Sequence, residues 1–270
     1  MITMDDKYRF EDFGFDCEPG YEDSITPVFD RKTYSIPGIE GVVPFGTEIK
    51  ETHFSYPLKI MERFHIEMQL KFERFASFFF DEYGNPREIK MVRDYDPSKY
   101  YFVEVSQQLL PDRLPEDGSL VIPLIAYDPR AYSLVKSTDK ITWGTRIPFT
   151  TKIPFSYRSG QSVYDVNVSQ NLIVNNIGSL VVRPIVEIIG TATALTLTIN
   201  GESFSFGDLN NEKLLIDTVT YTVVKNGKNH LFSTVGNLEK LELFPGKNTA
   251  RIGGTNMNVK IAFNFRGKYK

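Results

Sequence analysis

The chain has 270 residues, 41% of them hydrophobic and 24% charged, which is enough for one large globular domain or two smaller ones. A formal net charge of −3, with neither sign gathered in a long run, excludes the basic surface expected of a nucleic-acid-binding protein. The single cysteine, Cys17, excludes an intramolecular disulfide framework and is typical of a protein made in a reducing cytoplasm.

The first fifteen residues lack the basic region followed by an apolar stretch that a secretory signal needs. No apolar run approaches the length of a membrane span, so we expect neither a signal peptide nor a membrane span. Aromatic residues make up 13% of the chain, and most of them are phenylalanine and tyrosine. Such a composition suits packed sheets better than helical bundles and predicts a mainly β protein.

Residues 33–50 read TYSIPGIEGVVPFGTEIK and follow no regular period for long. The stretch holds two prolines and three glycines, yet it is apolar where a surface loop would be polar. The sequence leaves two interpretations open. Either these side chains are buried against another chain, or Ile36, Val42, Val43 and Phe45 cover the core of their own domain.

Residues 62–80 carry the clearest helical pattern, because five apolar residues recur at spacings of four and three. They are Phe64, Met68, Phe72, Phe75 and Phe79. The pattern predicts a helix that packs this stripe into the core, in preference to a helix that binds a partner. Gly84, Asn85 and Pro86 follow as breakers.

Residues 88–105 predict a β-hairpin with its turn at Asp94, Asp96 and Pro97. A calcium loop is excluded, because Lys99 and Val105 stand where such a loop needs glycine and a bidentate glutamate. Residues 119–133 predict a strand that Pro123 places at a sheet edge or bulge. The first region is therefore α+β with one helix, and we place its end near residue 133.

From residue 134 onward the pattern changes to short β-like runs separated by turn residues. In LTLTINGESFSF, Asn200 and Gly201 supply the two positive-φ residues of a type I′ turn. This turn fixes the register so that Leu197 faces Phe204 and, two residues further, Leu195 faces Phe206.

A second hairpin is predicted around Asn226 and Gly227, with Lys225 opposite Lys228 and Tyr221 opposite Phe232. The final run, NVKIAFNF, alternates so that one face carries Val259, Ile261, Phe263 and Phe265. We expect a β-sandwich over residues 134–270, whose last strand either completes this domain or packs back on the first.

Catalytic motifs are scarce. The three histidines, His53, His65 and His230, lie far apart and none belongs to a ligand-spaced motif. The sequence has no nucleophile elbow, no phosphate-binding loop and no dinucleotide fingerprint. We therefore expect a protein that is not an enzyme and that uses no cofactor or metal.

The order of several motifs resembles the distal tail protein family of long, non-contractile-tailed bacteriophages of Gram-positive hosts. RFEDFGF resembles the opening strand, SIPGIEG a Pro-Gly turn, HFSYPLKI a tyrosine-rich strand and RDYDPSKYYFVEV an Asp-rich turn entering a Tyr-Tyr strand. AYDPRAYS resembles the end of the first domain. NNIGSLVVRPIVEIIGTATALTLTINGESF and LELFPGKNTARI resemble parts of the C-terminal sandwich.

The resemblance implies two domains: a ring-forming α+β domain over residues 1–133 and an outward-facing, galectin-like or jelly-roll β-sandwich over residues 134–270. It also implies a structural hub, made in the cytoplasm of a bacterial host, that forms a hexameric ring at the virion tail tip. The implied partners are further copies of the chain, the tail-tube protein, and a tail-associated lysin or receptor-binding protein. A prophage remnant or a tail-like bacteriocin would use the same ring.

Two sets of candidate contact residues follow. For a contact with the next subunit or the tail tube we assign Ile36, Pro37, Gly38, Ile39 and Val42. The alternative function is a carbohydrate-binding module that contacts host cell-wall glycans, with Trp143 in KITWGTR stacking on a sugar. A lone tryptophan in a β-rich run is more often a core anchor.

Overall fold

The structure, a computed structural model, describes residues 1–139 and 162–270. The chain divides into two compact units, Met1–Ala131 and Tyr132–Lys270. Antiparallel strands dominate both units, and the described residues contain one α-helix. The predicted fold class, mainly β with a single helix in the first region, is confirmed.

The first unit consists of one main sheet, a helix and a separate two-stranded ribbon. Its elements are β1 (Ile2–Met4), β2 (Asp16–Cys17), β3 (Glu22–Asp23), β4 (Phe29–Tyr34), β5 (Val43–Ile49), β6 (Thr52–Met61), α1 (His65–Phe78), β7 (Ile89–Arg93), β8 (Asp96–Val105), β9 (Asp112–Arg113) and β10 (Asp117–Ala126). The main sheet runs β1-β7-β8-β10-β6-β2, with β3 also pairing with β6 and β9 with β10. Strands β4 and β5 pair with each other as a ribbon.

Helix α1 buries four of the five residues predicted for its core stripe: Met68, Phe72, Phe75 and Phe79. The prediction is wrong for Phe64, whose side chain is 67% exposed. Phe64 is the N-cap residue and has extended backbone angles, φ −93° and ψ 115°, so it does not continue the helical stripe. The apolar pattern by itself does not locate this boundary.

An aromatic cluster joins α1 to the RFEDFGF segment near the start of the chain. The ring centroid of Phe75 lies 4.7 Å from that of Phe15, 5.4 Å from that of Phe13 and 6.1 Å from that of Phe10. These separations suit the tilted and edge-on contacts that aromatic rings prefer. The opening segment therefore covers the helix from the first residues of the unit.

The hairpin predicted for residues 88–105 is confirmed, since β7 and β8 pair with Met91 opposite Tyr101. Its turn differs from the prediction: Arg93 faces Asp96, so Pro97 already belongs to β8. The prediction that Pro123 lies at a sheet edge or bulge is wrong, because β10 runs between β8 and β6 and Pro123 pairs with Ser55 of β6 without a register shift. Pro123 tolerates this position next to the end of the β8–β10 pairing. Its carbonyl accepts a hydrogen bond from the Ser106 N–H, 3.0 Å away, where the regular β8–β10 pairing ends.

The second unit is built from a few unusually long strands. Its elements are β11 (Ala131–Lys136, beginning at the last residue of the first unit), β12 (Val163–Val166), β13 (Gln170–Asn176), β14 (Ile185–Ile199), β15 (Glu202–Asp217), β16 (Thr222–Lys225), β17 (Lys228–Asn229), β18 (Gly246–Asn264) and β19 (Arg266–Tyr269). The sheet runs β12-β18-β14-β15-β16-β17, and β13 also pairs with β18. Strands β11 and β19 pair with each other outside this sheet. The run predicted as the last strand lies in β18, where Val259, Ile261 and Phe263 are buried.

The Asn-Gly turn sets the register of β14 and β15 as predicted, with Leu197 opposite Phe204. The prediction fails two residues further on, because a bulge places Leu195 opposite Gly207 instead of Phe206. A turn determines pairing only up to the first bulge.

The second Asn-Gly hairpin is shorter than the sequence indicates. Lys225 faces Lys228 as predicted, but β17 ends at Asn229. Phe232 lies in a short 3-10 turn and is 95% exposed, so the predicted pair with Tyr221 is wrong.

A buried asparagine fixes the turn that leads into β18. Asn248 is 1% exposed, and its Oδ1 accepts hydrogen bonds from the Phe244 N–H at 2.8 Å and from Asn200 Nδ2 at 3.0 Å. Its Nδ2 donates to the carbonyls of Phe244, Gly246 and Val174 at 2.7, 3.1 and 3.5 Å. One side chain therefore satisfies backbone groups from two strands and a turn.

We predict that Asn248→Ala lowers the free energy of unfolding by about 2–3 kcal/mol, because it leaves buried backbone groups without partners. Urea denaturation followed by circular dichroism measures the change. Asn258→Ala is the matched control, since Asn258 is exposed on the same strand, and its effect should stay below about 0.5 kcal/mol. Equal effects of the two variants would contradict the role of Asn248.

Candidate functional site

The most unusual feature of the first unit is the ribbon of β4 and β5, which we call the arm (residues 29–49). Every residue of both strands is exposed, and Phe45 is 84% exposed. The two strands pair from Phe29 opposite Ile49 to Tyr34 opposite Val43, with one bulge after Lys32. An isolated two-stranded ribbon is at best marginally stable in water, so this arm lacks the third layer that would normally support it.

All five residues assigned to a subunit or tube contact lie at the tip of the arm, between its two strands. The Ile39 N–H donates to the Ile36 carbonyl at 3.1 Å, and Gly38 has φ +87°. Pro37 followed by a positive-φ glycine is the pattern of a type II turn. Ile39 is 59% and Val42 60% exposed.

The alternative in which this segment covers its own core is wrong. Ile36, Val42, Val43 and Phe45 all have exposed side chains. The sequence shows that the segment is apolar and contains turn residues, but its pattern does not predict two paired strands. The bulge after Lys32 and the eight residues between the strands hide the alternation from which a strand is usually predicted.

The arm changes in character along its length. Near the root, Glu48 forms ion pairs with Lys32 and with Lys50, the second at 3.3 Å. The hydrogen bond from Lys32 lowers the pKa of the Glu48 carboxyl below its ordinary value. Residues 33–47, which we call the arm tip, contain Glu40 as their sole charged residue. The root is therefore charged and solvated, whereas the tip presents apolar surface to water.

The base of the arm, which we call the root, is closed by backbone hydrogen bonds. Val28 and Glu51 close its base, with the Val28 N–H donating to the Glu51 carbonyl at 3.0 Å and the Lys50 N–H donating to the Val28 carbonyl at 2.8 Å. Just before the arm, Asp23 of β3 pairs with Phe54 of β6. Both ends of the arm are thus held by the same strand, β6, or by residues next to it.

A buried ion pair fastens this root to the hairpin of β7 and β8. Arg93 Nη1 lies 3.0 Å from Asp23 Oδ1, and both side chains are nearly buried. The Arg93 guanidinium also lies 5.0 Å from the ring centroids of both Tyr95 and Tyr101, and the Tyr95 hydroxyl donates to Asp23 Oδ2. We call these four residues, Asp23, Arg93, Tyr95 and Tyr101, the clasp.

The surroundings of Arg93, Tyr95 and Tyr101 shift the pKa of each of these three side chains upward. Desolvation by itself lowers the pKa of Arg93, but Tyr101 and Asp23 outweigh it, so the pKa is raised. Burial and the hydrogen bond to Asp23 raise the pKa of Tyr95. Burial likewise raises the pKa of Tyr101. The arginine stays charged and the phenols stay neutral at any physiological pH.

The remaining sequence candidates do not form a site. In the part of the chain that the structure describes, no three His, Cys, Asp or Glu residues are placed to hold a metal ion. His53 lies beside Glu51, and His230 contacts the Phe206 carbonyl at 2.9 Å. Trp143, the candidate glycan contact, lies outside the described residues. Among those residues, no helix is long and apolar enough to cross a membrane.

Residues 8–126 match the family model of the phage tail protein RIFT-related domain. The matched residues span most of the first unit, including the arm and the clasp. No curated protein sequence matches the chain.

Solved structures are also similar to the chain, and the alignments cover nearly its whole length. The chain is similar to the Dit protein of phage SPP1, with a TM-score of 0.68 at 13% identity, and the alignment covers 98% of this chain and 99% of that one. That protein is described as a paradigm of the hub adsorption apparatus in phages that infect Gram-positive bacteria. The chain thus has the Dit fold, and the resemblance to distal tail proteins is confirmed. A chain of the phage P2 baseplate in its activated conformation with Ca aligns over 95% of this chain and 92% of its own at 12% identity, but its TM-score of 0.34 establishes no shared fold.

We predict that Arg93→Met lowers the free energy of unfolding by about 3–5 kcal/mol, because Asp23 then keeps a buried charge without its partner. Arg9→Met is the control: Arg9 pairs with Asp94 at 3.2 Å, but both side chains are well exposed, and its loss should cost about 0–1 kcal/mol. Urea denaturation of both variants measures the difference. Similar destabilisation by the two substitutions would argue against a stabilising clasp.

Proposed function

We propose that this chain is a structural distal tail protein of a siphophage or a prophage. It forms a hexameric ring that links the tail tube to the receptor-binding apparatus at the tail tip. The Dit fold and the phage tail domain over residues 8–126 support this role. Its partners are copies of itself, the tail-tube protein, and a tail-associated lysin or receptor-binding protein. The role is scaffolding and requires no catalysis.

The two units divide this work. The first unit, with the phage tail domain, forms the ring, and the second unit faces outward as a β-sandwich. In this proposal, the ring lies at the tail tip of the virion.

The observation that carries the proposal is the exposed apolar tip of the arm. Ile39, Val42 and Phe45 face water in the single chain, and burial stabilises side chains of this size by roughly 1.5–3 kcal/mol each. A ribbon cannot fold back to bury its own tip, so a neighbouring subunit or the tail tube must cover it. A ring provides such a neighbour at every position.

Mass in solution tests the ring directly. We expect light scattering after size exclusion, at several concentrations, to give a hexamer or a pair of hexamers. Negative-stain images of that peak should then show an open central channel. A strict monomer at every concentration would contradict self-assembly of the purified protein.

We predict that Ile39→Asp combined with Val42→Asp abolishes rings and leaves a folded monomer, because the two charges would have to be desolvated in the contact. The matched control is Val168→Asp combined with Val219→Asp, two similarly exposed valines of the second unit. Light scattering reports assembly and circular dichroism reports folding. Intact rings in the arm variant would refute a role for the tip in assembly.

A further inference from the structure

The first unit has a second exposed apolar surface, at the start of α1. It consists of Met61, the last residue of β6, together with Phe64, Ile66 and Leu70, and we call it the helix patch. These side chains are 77%, 67%, 77% and 53% exposed. Single exposed apolar residues are ordinary, but four within ten residues mark an interaction surface.

The helix geometry explains why the patch faces away from its own core. Ile66 and Leu70 are one turn apart and share a face of α1. Met68 and Phe72 lie on the opposite face and are buried. Phe64 is exposed because it caps the helix with an extended backbone. The core is packed against the face of α1 that carries Met68 and Phe72. Nothing in the described part of the same unit covers the face that carries Ile66 and Leu70.

The arm tip and the helix patch both carry exposed charges beside their apolar side chains. Glu40 is the one charged residue of the tip, whereas the helix patch holds Arg63 between Met61 and Phe64 and Glu67 next to Ile66. Glu40, Arg63 and Glu67 are exposed, and none of them forms an ion pair among the described residues. The anion of the tip thus has one free cation to face on the helix patch, and repulsion from Glu67 disfavours registers that bring Glu40 toward Ile66.

We propose that the arm tip of one copy seats on the helix patch of the next copy, with Glu40 facing Arg63. This inference rests on the proposed ring. Because the two surfaces differ, the contact is head-to-tail, and each copy offers one arm and one patch. The same contact repeats around the ring until it closes. Both apolar surfaces are buried by a single interaction, and the charge pair at its rim selects the register.

A disulfide crosslink tests the contact directly. In a Cys17→Ser background, Ile39→Cys is combined with Ile66→Cys. Cysteines form a disulfide when their Cα atoms are within about 7 Å. Mild oxidation of the assembled protein should give a ladder of covalent oligomers up to the hexamer on non-reducing gels.

The control pair is Ile39→Cys with Val121→Cys. Val121 is also exposed in the first unit, but it lines a groove formed with Gln107, Gln108 and Asp112, and none of the helix patch residues lines that groove. The control pair should stay monomeric on the gel. A ladder from the control pair instead of the Ile66 pair would overturn the proposed contact.

A charge exchange tests the register. Glu40→Arg and Arg63→Glu, made singly, place like charges together. Each should raise the concentration at which half of the chains are assembled by about fivefold. The double variant restores the opposite charges and should assemble like the unchanged protein. Additive losses in the double variant would overturn the pairing of Glu40 with Arg63.

The outcomes separate this inference from the proposed function. If the unchanged protein forms rings but the Ile39 and Ile66 cysteines do not crosslink, the ring stands and the arm docks elsewhere. If the unchanged protein forms no rings at any concentration, the proposed function itself fails. Circular dichroism of every variant verifies that the chain remains folded.

Discussion

A two-stranded ribbon has no interior, and this constraint governs the arm. Its strands satisfy each other's backbone hydrogen bonds, but neither face has a second layer to cover it. The charged root tolerates this exposure because Lys32 and Glu48 are well solvated. The apolar tip is different, because burial of Ile39, Val42 and Phe45 against another surface would lower the free energy. These side chains therefore remain exposed in the single chain.

The clasp joins the segment that precedes the arm to the hairpin of β7 and β8. Asp23 lies six residues before Phe29, the first residue of the arm, and forms the ion pair with Arg93. A buried ion pair adds little net stability compared with apolar packing, but it tolerates few alternative geometries. Tyr95 and Tyr101 flank the guanidinium and exclude water from it. The chain is therefore anchored at Asp23, before the arm begins.

The second unit meets a different constraint, which is the length of its strands. The 19 residues of β18 would extend over roughly 60 Å if straight, far more than a unit of this size spans. Bulges between Thr191 and Thr196 bend the pairing of β14 with β18. Gly190 permits one bend, because a Cβ there would lie 2.1 Å from the Asn258 carbonyl oxygen. The sheet can then curve around one core.

The sequence by itself determined the features that depend on near neighbours along the chain. The Asn200-Gly201 turn, the alternating burial through Ile261 and the buried stripe of α1 all follow from backbone sterics within a few residues. Tertiary structure decided the exposure of Phe64, the bulge at Leu195 and the exposed strands of the arm. In each case the outcome depends on whether distant atoms cover a side chain or bend a strand, and local periodicity carries no information about such atoms.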